Sequence, residues 1–180
     1  MHRASLVLIA MAAACASSGT TPEVTERAAP IFSSAETGTL MGSTPASASA
    51  SFEAPAAAVW AAVKKTYADW GVPLNVENPT THQIGNNQFI RSRQFAGHSM
   101  TELADCGSGP EGPKAASYRI YMSLLTFVTP DPSGSVRVQT TFVPIGQDVT
   151  GTSNERLTCG TSGRLEQYFL DAVKANLGKA

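Results

Sequence analysis

Two segments of the chain carry apolar residues at helical spacing. Val59, Trp60, Val63, Tyr67 and Trp70 recur every three or four residues, with Lys64, Lys65 and Asp69 between them. Pro55 fits a first helical turn, where its missing N–H goes unneeded. Gly71 suits the position just past the helix end and Pro73 prevents continuation. This pattern predicts a helix over 55–70. Leu165, Tyr168, Phe169, Ala172, Val173 and Leu177 form a second stripe, which predicts a helix over about 164–177, ended by Gly178.

Elsewhere the apolar residues alternate. Ser117–Val128 places Tyr118, Ile120, Met122, Leu124 and Val128 on one face, and Val136–Val143 places Val136, Val138 and Phe142 on one face. The turn residues Thr129-Pro130-Asp131-Pro132-Ser133-Gly134 lie between them, so the pair reads as a hairpin that sets Val128 opposite Val136. Shorter extended segments are expected at Leu74–Glu77, His82–Gly85 and Phe89–Phe95. Asn86-Asn87 reads as a tight hairpin turn. Residues 96–116 and about 144–162 read as loops.

One-sided helices and a one-sided sheet must bury their apolar faces together. The expected fold is therefore α+β: a two-layer domain with an antiparallel sheet of about five strands and a helix at each end of the sequence. The other face of the hairpin carries Arg119, Tyr121, Ser123, Leu125 and Phe127 across from Arg137, Gln139, Thr141 and Val143. If both helices share one side, Tyr121, Leu125, Phe127 and Arg137 stand on the opposite face, a candidate binding face. The N-terminal linker or the long loops are the alternative cover for it.

The first residues change the picture. His2 and Arg3 precede the uncharged apolar run Leu6–Ala14, far shorter than the ~20 residues of a membrane span. A basic start, a short apolar run and small residues before a cut site read as a secretory signal peptide. Ala12-Ala13-Ala14-Cys15 resembles a bacterial lipobox, although Ala12 stands where leucine is commonest in that motif. The resemblance implies that Cys15 is lipidated and becomes the mature N-terminus. Cleavage by ordinary signal peptidase near Ala14 or Ala16 is the alternative. Residues 16–50 are Ala, Ser, Thr, Gly or Pro at 26 of 35 positions, too poor in apolar surface to offset the entropy of ordering. As a free coil this stretch would span roughly 30–35 Å. The organisation expected is thus a signal peptide over 1–14, a lipid-anchored flexible linker over 15–50 and one domain over 51–180.

Export bears on the two remaining cysteines. In an oxidising compartment, Cys106 and Cys159 in glycine-rich loops are expected to form a disulfide. Counted from the hairpin tip they are nearly equidistant, so both fall toward its open base. Cys106, Cys159, His82 and His98 show none of the spacings of a metal site. No catalytic or phosphate-cradling motif is present either. Neither a metal, a cofactor nor a catalytic residue is expected.

Charged residues make up 15% of the chain and the net charge is −1, so there is no field to concentrate nucleic acid. The segments 51–70, 117–143 and 164–178, on a tethered background, resemble the helix-grip domains of outer-membrane assembly lipoproteins of the BamC type. That resemblance rests on element order and implies a binding or scaffolding part in an envelope assembly, without catalysis. The expectation is a non-enzymatic cell-envelope lipoprotein, anchored by lipid in the outer membrane facing the periplasm and binding another envelope protein. A soluble periplasmic or secreted location is the alternative. So is a helix-grip carrier that holds a small apolar ligand between helix and sheet.

Overall fold

The computed structural model describes residues 46–150 and 156–179. The signal segment, Cys15 and the linker as far as residue 45 lie outside the described residues. In chain order the main elements are β1 (Ser47–Phe52), α1 (Ala56–Asp69), β2 (Val76–Asn78), β3 (Gln83–Ser92), β4 (Arg119–Pro130), β5 (Val136–Gln147), β6 (Arg156–Thr158) and α2 (Arg164–Leu177).

The strands form one antiparallel sheet of six, in the order β1-β5-β4-β3-β2, with β6 pairing β5 beyond the end of β1. Both helices lie on the same side and close a two-layer α+β domain. Their shared core is filled by Val59, Val63 and Tyr67 from α1, Met122 and Leu124 from β4, Phe142 from β5, and Leu165, Phe169 and Val173 from α2. The two helices are also linked to each other, as Asn176 Nδ2 donates to Thr66 Oγ1 and to Asp69 Oδ2, at 3.1 Å each.

Four expectations need correction. First, β1 begins at Ser47, so the folded part starts inside the stretch read as linker to residue 50. Ala48, Ala50 and Phe52 face inward while Ser47, Ser49 and Ser51 face out. Their pairing with Val136–Thr141 supplies order that the composition did not promise. Second, Asn86-Asn87 is no turn. Gln83–Ser92 is one strand with a register shift between Asn86 and Phe89. Asn86 donates to the Pro73 carbonyl, and Asn87 accepts from Asn75 Nδ2 at 2.8 Å, so both side chains tie the bulge to the chain leaving α1. Third, the hairpin register is two residues longer than expected, with Val138 opposite Val128. Asp131 and Ser135 close a turn of their own, N to O at 2.8 Å, and so the strands run on to Pro130 and Val136. An even slip keeps every residue on its face. Fourth, the expected loops hold ordered pieces: a single helical turn at Met100–Leu103, the pairing of Ala104–Asp105 with Gly160–Thr161, and β6.

The expected cysteine pair is bonded. Cys106 and Cys159 have their Cα atoms 4.2 Å apart, just short of the usual range of about 4.4–6.8 Å. The ladder Ala104↔Thr161, Asp105↔Gly160 continues directly onto this pair, which explains why the two meet. The bond lies over β5 at Gly146, where an added Cβ would come within 3.1 Å of Cys159 Sγ and 3.3 Å of Cys106 Sγ. A side chain at this position would crowd both sulfurs.

Candidate functional site

The sheet has an inner face under the helices and an outer face. Strand parity alone sets which residues are outer. On β4 these are Arg119, Tyr121, Ser123, Leu125 and Phe127; on β5 they are Arg137, Gln139, Thr141, Val143 and Ile145. The expected candidate residues Tyr121, Leu125, Phe127 and Arg137 thus do share one face. Leu125 is opposite Thr141, and Phe127 lies between Gln83 and Gln139. Arg137 lies at the corner beside Ser51 and Thr129.

Their exposure differs from expectation. Arg137 and Gln139 are open to solvent, and Phe127, Thr141 and Val143 are half-buried. Yet Leu125 is only 4% exposed, Tyr121 9% and Ile145 1%. The centre of this face is therefore no open apolar patch, although both helices lie on the other side. Tyr121 has partners of its own: its hydroxyl donates to Gln147 Oε1 at 2.9 Å, and the Arg156 guanidinium stands 4.3 Å over its ring. Beside it, Ser123 Oγ and Thr158 Oγ1 are buried without a hydrogen-bond partner among the described residues. Three arginines, Arg119, Arg137 and Arg156, lie on this face, and its strand positions carry no carboxylate among the described residues.

The inner layer is closed. Tyr67 and Phe169 rings lie 4.9 Å apart, and Trp70 meets Phe169 edge-on at 5.2 Å and Phe95 at 5.6 Å. The Tyr67 hydroxyl reaches Thr126 Oγ1 at 2.8 Å and the Leu124 carbonyl at 3.1 Å, and burial pushes its ionisation above the ordinary tyrosine range. Thr126 passes the chain of hydrogen bonds on to Thr140. Two depressions on the surface of the described domain lie away from the α2–sheet interface. One, of about 340 Å³, is lined by Gly109–Lys114, Ser117, Tyr118 and Asp148. The other lies between Lys64, Ala68 and Pro73.

Two groups escaped the sequence reading. His98, set aside above as a metal ligand, stacks on Tyr168 with ring centres 3.9 Å apart, and its Nδ1 is 3.5 Å from Glu102 Oε2. Tyr168 donates to Glu102 Oε1 at 2.7 Å, and Arg164 Nη1 is 3.4 Å away. The Tyr168 hydrogen bond, then His98 and Arg164, hold the Glu102 carboxyl below its usual range. The i, i+4 spacings His98/Glu102 and Arg164/Tyr168 were the available signal. The cluster has surface exposure on every member and serves to fasten the 98–103 turn to α2.

The second is Glu166, which is fully buried. Its carboxylate accepts from Thr161 Oγ1 at 3.2 Å and from the main-chain N–H of Phe142. Phe142 is the first β5 residue beyond the end of β1, so this carboxylate fills the gap in the sheet edge between β1 and β6. Burial raises its proton affinity above that of an ordinary glutamate. A carboxyl whose folded value is raised favours the fold at low pH and loses that contribution as pH climbs through the raised value. We expect the wild type to lose stability relative to Glu166→Gln as pH rises from about 4.3 into the neutral range. Urea midpoints of both proteins across that interval measure the effect, and parallel curves would disprove it.

The chain matches no protein-family model and no curated protein. Function must therefore be argued from the domain itself.

Proposed function

We propose that the protein is a non-enzymatic cell-envelope lipoprotein whose domain serves as a protein-binding or assembly accessory module. The filled layer between α2 and the sheet carries this reading. A carrier needs a chamber of several hundred Å³, commonly about 300–1,000 Å³, to enclose a small apolar ligand. Here Tyr67, Phe142, Phe169 and Val173 occupy that space with no measurable exposure. Recognition is left to the outside of the domain. Its exposed corner offers the Arg137 guanidinium, the Gln139 amide and the β1 hydroxyls, with Ile90 at 46% exposure further across the same face. Both cysteines of the domain are consumed in a disulfide, which leaves no thiol for chemistry. The element order that resembles the BamC-type lipoproteins points the same way.

Anchoring is tested first. Cys15→Ala should abolish incorporation of a fatty-acid analogue, and equal labelling of wild type and mutant would remove the lipid anchor from the proposal. Binding is tested in cells with a photoactivatable residue at Arg137 or, as a control, at Lys174 on the helix layer. One reproducible adduct with an envelope protein from position 137 alone is expected. No adduct, or the same adducts from both positions, would sink the proposal.

A further inference from the structure

One end of the sheet gathers cations and open apolar side chains. Across β3, β4, β5 and β6 the residues Ser92, Arg119, Gln147 and Arg156 stand in one row, each opposite the next. They share the outer face with Tyr121, two positions along β4. With strands about 4.8 Å apart, the row is about 15 Å wide. Arg93 follows directly on Ser92. Arg93 and Arg119 are both exposed, and neither side chain has a hydrogen bond or ion pair among the described residues. Arg93 also holds a left-handed backbone, φ +65°, which costs a residue other than glycine free energy. No polar contact of its side chain within the described residues offsets that cost. The next carboxylate along β5, Asp148, accepts from the Thr150 N–H and hydroxyl at 2.8 Å each. The same end carries the large apolar residues left most open among those described, Ile90 at 46% and Val149 at 53% exposure. Ile90 is opposite Tyr121 and so on the outer face, and Val149 is two residues beyond Gln147.

We propose that this end of the domain docks on an anionic membrane surface, with Arg93, Arg119 and Arg156 on the headgroups and Ile90 and Val149 entering the boundary beneath them. Charge is complementary, and apolar side chains set among cations are what an interfacial contact requires. An acidic peptide matches the arginines too, but it docks along a strand edge or in a groove. Here the cations run across four strands at their ends, an arrangement that a flat surface meets at once. The neighbouring depression sets Glu111 and Asp148 beside Lys114, so it offers an acidic peptide no basic groove. Each arginine near an anionic surface raises partition about fivefold, so three give on the order of a hundredfold. That is weak for a free domain and sufficient for one held near the membrane, as the proposed lipid anchor would hold it. The contact also orients the domain. Arg137 lies ten residues back along β5 from Gln147, about 34 Å away, so its corner faces away from the membrane and stays open to a protein partner.

The test uses the chain from residue 16 onward, without lipid, so its outcome is separate from that of the Cys15 labelling and of the in-cell crosslink. Sedimentation with vesicles of phosphatidylethanolamine and phosphatidylglycerol, against vesicles of phosphatidylcholine alone, reads the partition. Binding to the anionic vesicles is expected, and it should weaken as salt rises. Arg119→Glu removes one cation and adds an anion, and should cut that binding by at least about tenfold. Lys174→Glu makes the same change of charge on the exposed side of α2 and should keep the wild-type partition. Arg93→Asn suits the left-handed backbone, should lose about fivefold, and decides the matter if Arg119→Glu fails to fold. No binding to anionic vesicles, equal binding to both lipid compositions, or an unchanged partition in the arginine variants overturns the proposal. Equal losses in Arg119→Glu and Lys174→Glu would trace the effect to net charge and overturn it as well.

Discussion

Reducing the Cys106–Cys159 bond should lower the melting temperature by about 15 °C and leave the domain folded. The loop it closes spans a sequence separation of 53. Constraining such a loop in the unfolded chain is worth about 4 kcal/mol in the chain-entropy model. For a domain of this size, each kcal/mol corresponds to about 4 °C. What the bond restrains are the excursion between β3 and β4 and the segment from β5 to α2. Apart from Phe95, Met100, Leu103, Ala104 and Ala115, these bury few apolar side chains. The fold survives because the sheet, α1 and α2 share a core that does not pass through the sulfurs. Cys159→Ser should behave like reduction. A shift below about 5 °C would mean that the loops hold themselves, and free thiols in protein taken from the envelope would mean that the bond does not form there.

How far the sequence spoke for this fold differs by element. α1 was legible because its signals agree: Pro55 at the start, the stripe from Val59 to Tyr67, and Gly71 with φ +63° at the end. α2 was equally clear. The long hairpin was legible in its faces but not in its register, since parity fixes faces and only the hydrogen bonds of the Asp131–Ser135 turn fix the pairing. β1 was not legible as Ser47–Phe52 because serine and alanine form strands poorly on their own. The signal was there in the Ala48, Ala50, Phe52 alternation, but a tertiary partner was needed to give it meaning. Asn86-Asn87 misled for the opposite reason: a turn-forming pair spends its side chains on Pro73 and Asn75 instead. The candidate face was legible in membership, Tyr121 with Leu125, Phe127 and Arg137, and illegible in burial. Burial depends on which side the helices choose and on what packs against the other side, and neither is a periodic property of a strand.

Phe169→Ala should be the most damaging single core substitution, at about 3–5 kcal/mol. Phe169 is fully buried at the centre of α2, and its ring touches two residues of the other helix's end, Tyr67 at 4.9 Å and Trp70 at 5.2 Å. Trp70 in turn meets Phe95, so the ring also props the start of the long excursion. Removing it loses apolar burial and leaves a cavity between the two helices and the sheet. Collapse into that cavity is resisted on one side by Tyr67, whose hydroxyl is fixed by Thr126 and the Leu124 carbonyl. On the other side, the Asn176 bonds to Thr66 and Asp69 hold the helices at their spacing. Phe169→Leu keeps most of the volume and should cost about 1–1.5 kcal/mol. Denaturant unfolding of the two variants checks the argument through their difference. If alanine and leucine destabilise equally, the site relaxes around either side chain and the aromatic junction is not what joins α1 to α2. If alanine costs several-fold more, the junction is rigid. A rigid junction also fits the proposed mode of action, because a domain that recognises its partner by its outer surface needs an interior that neither opens nor shifts.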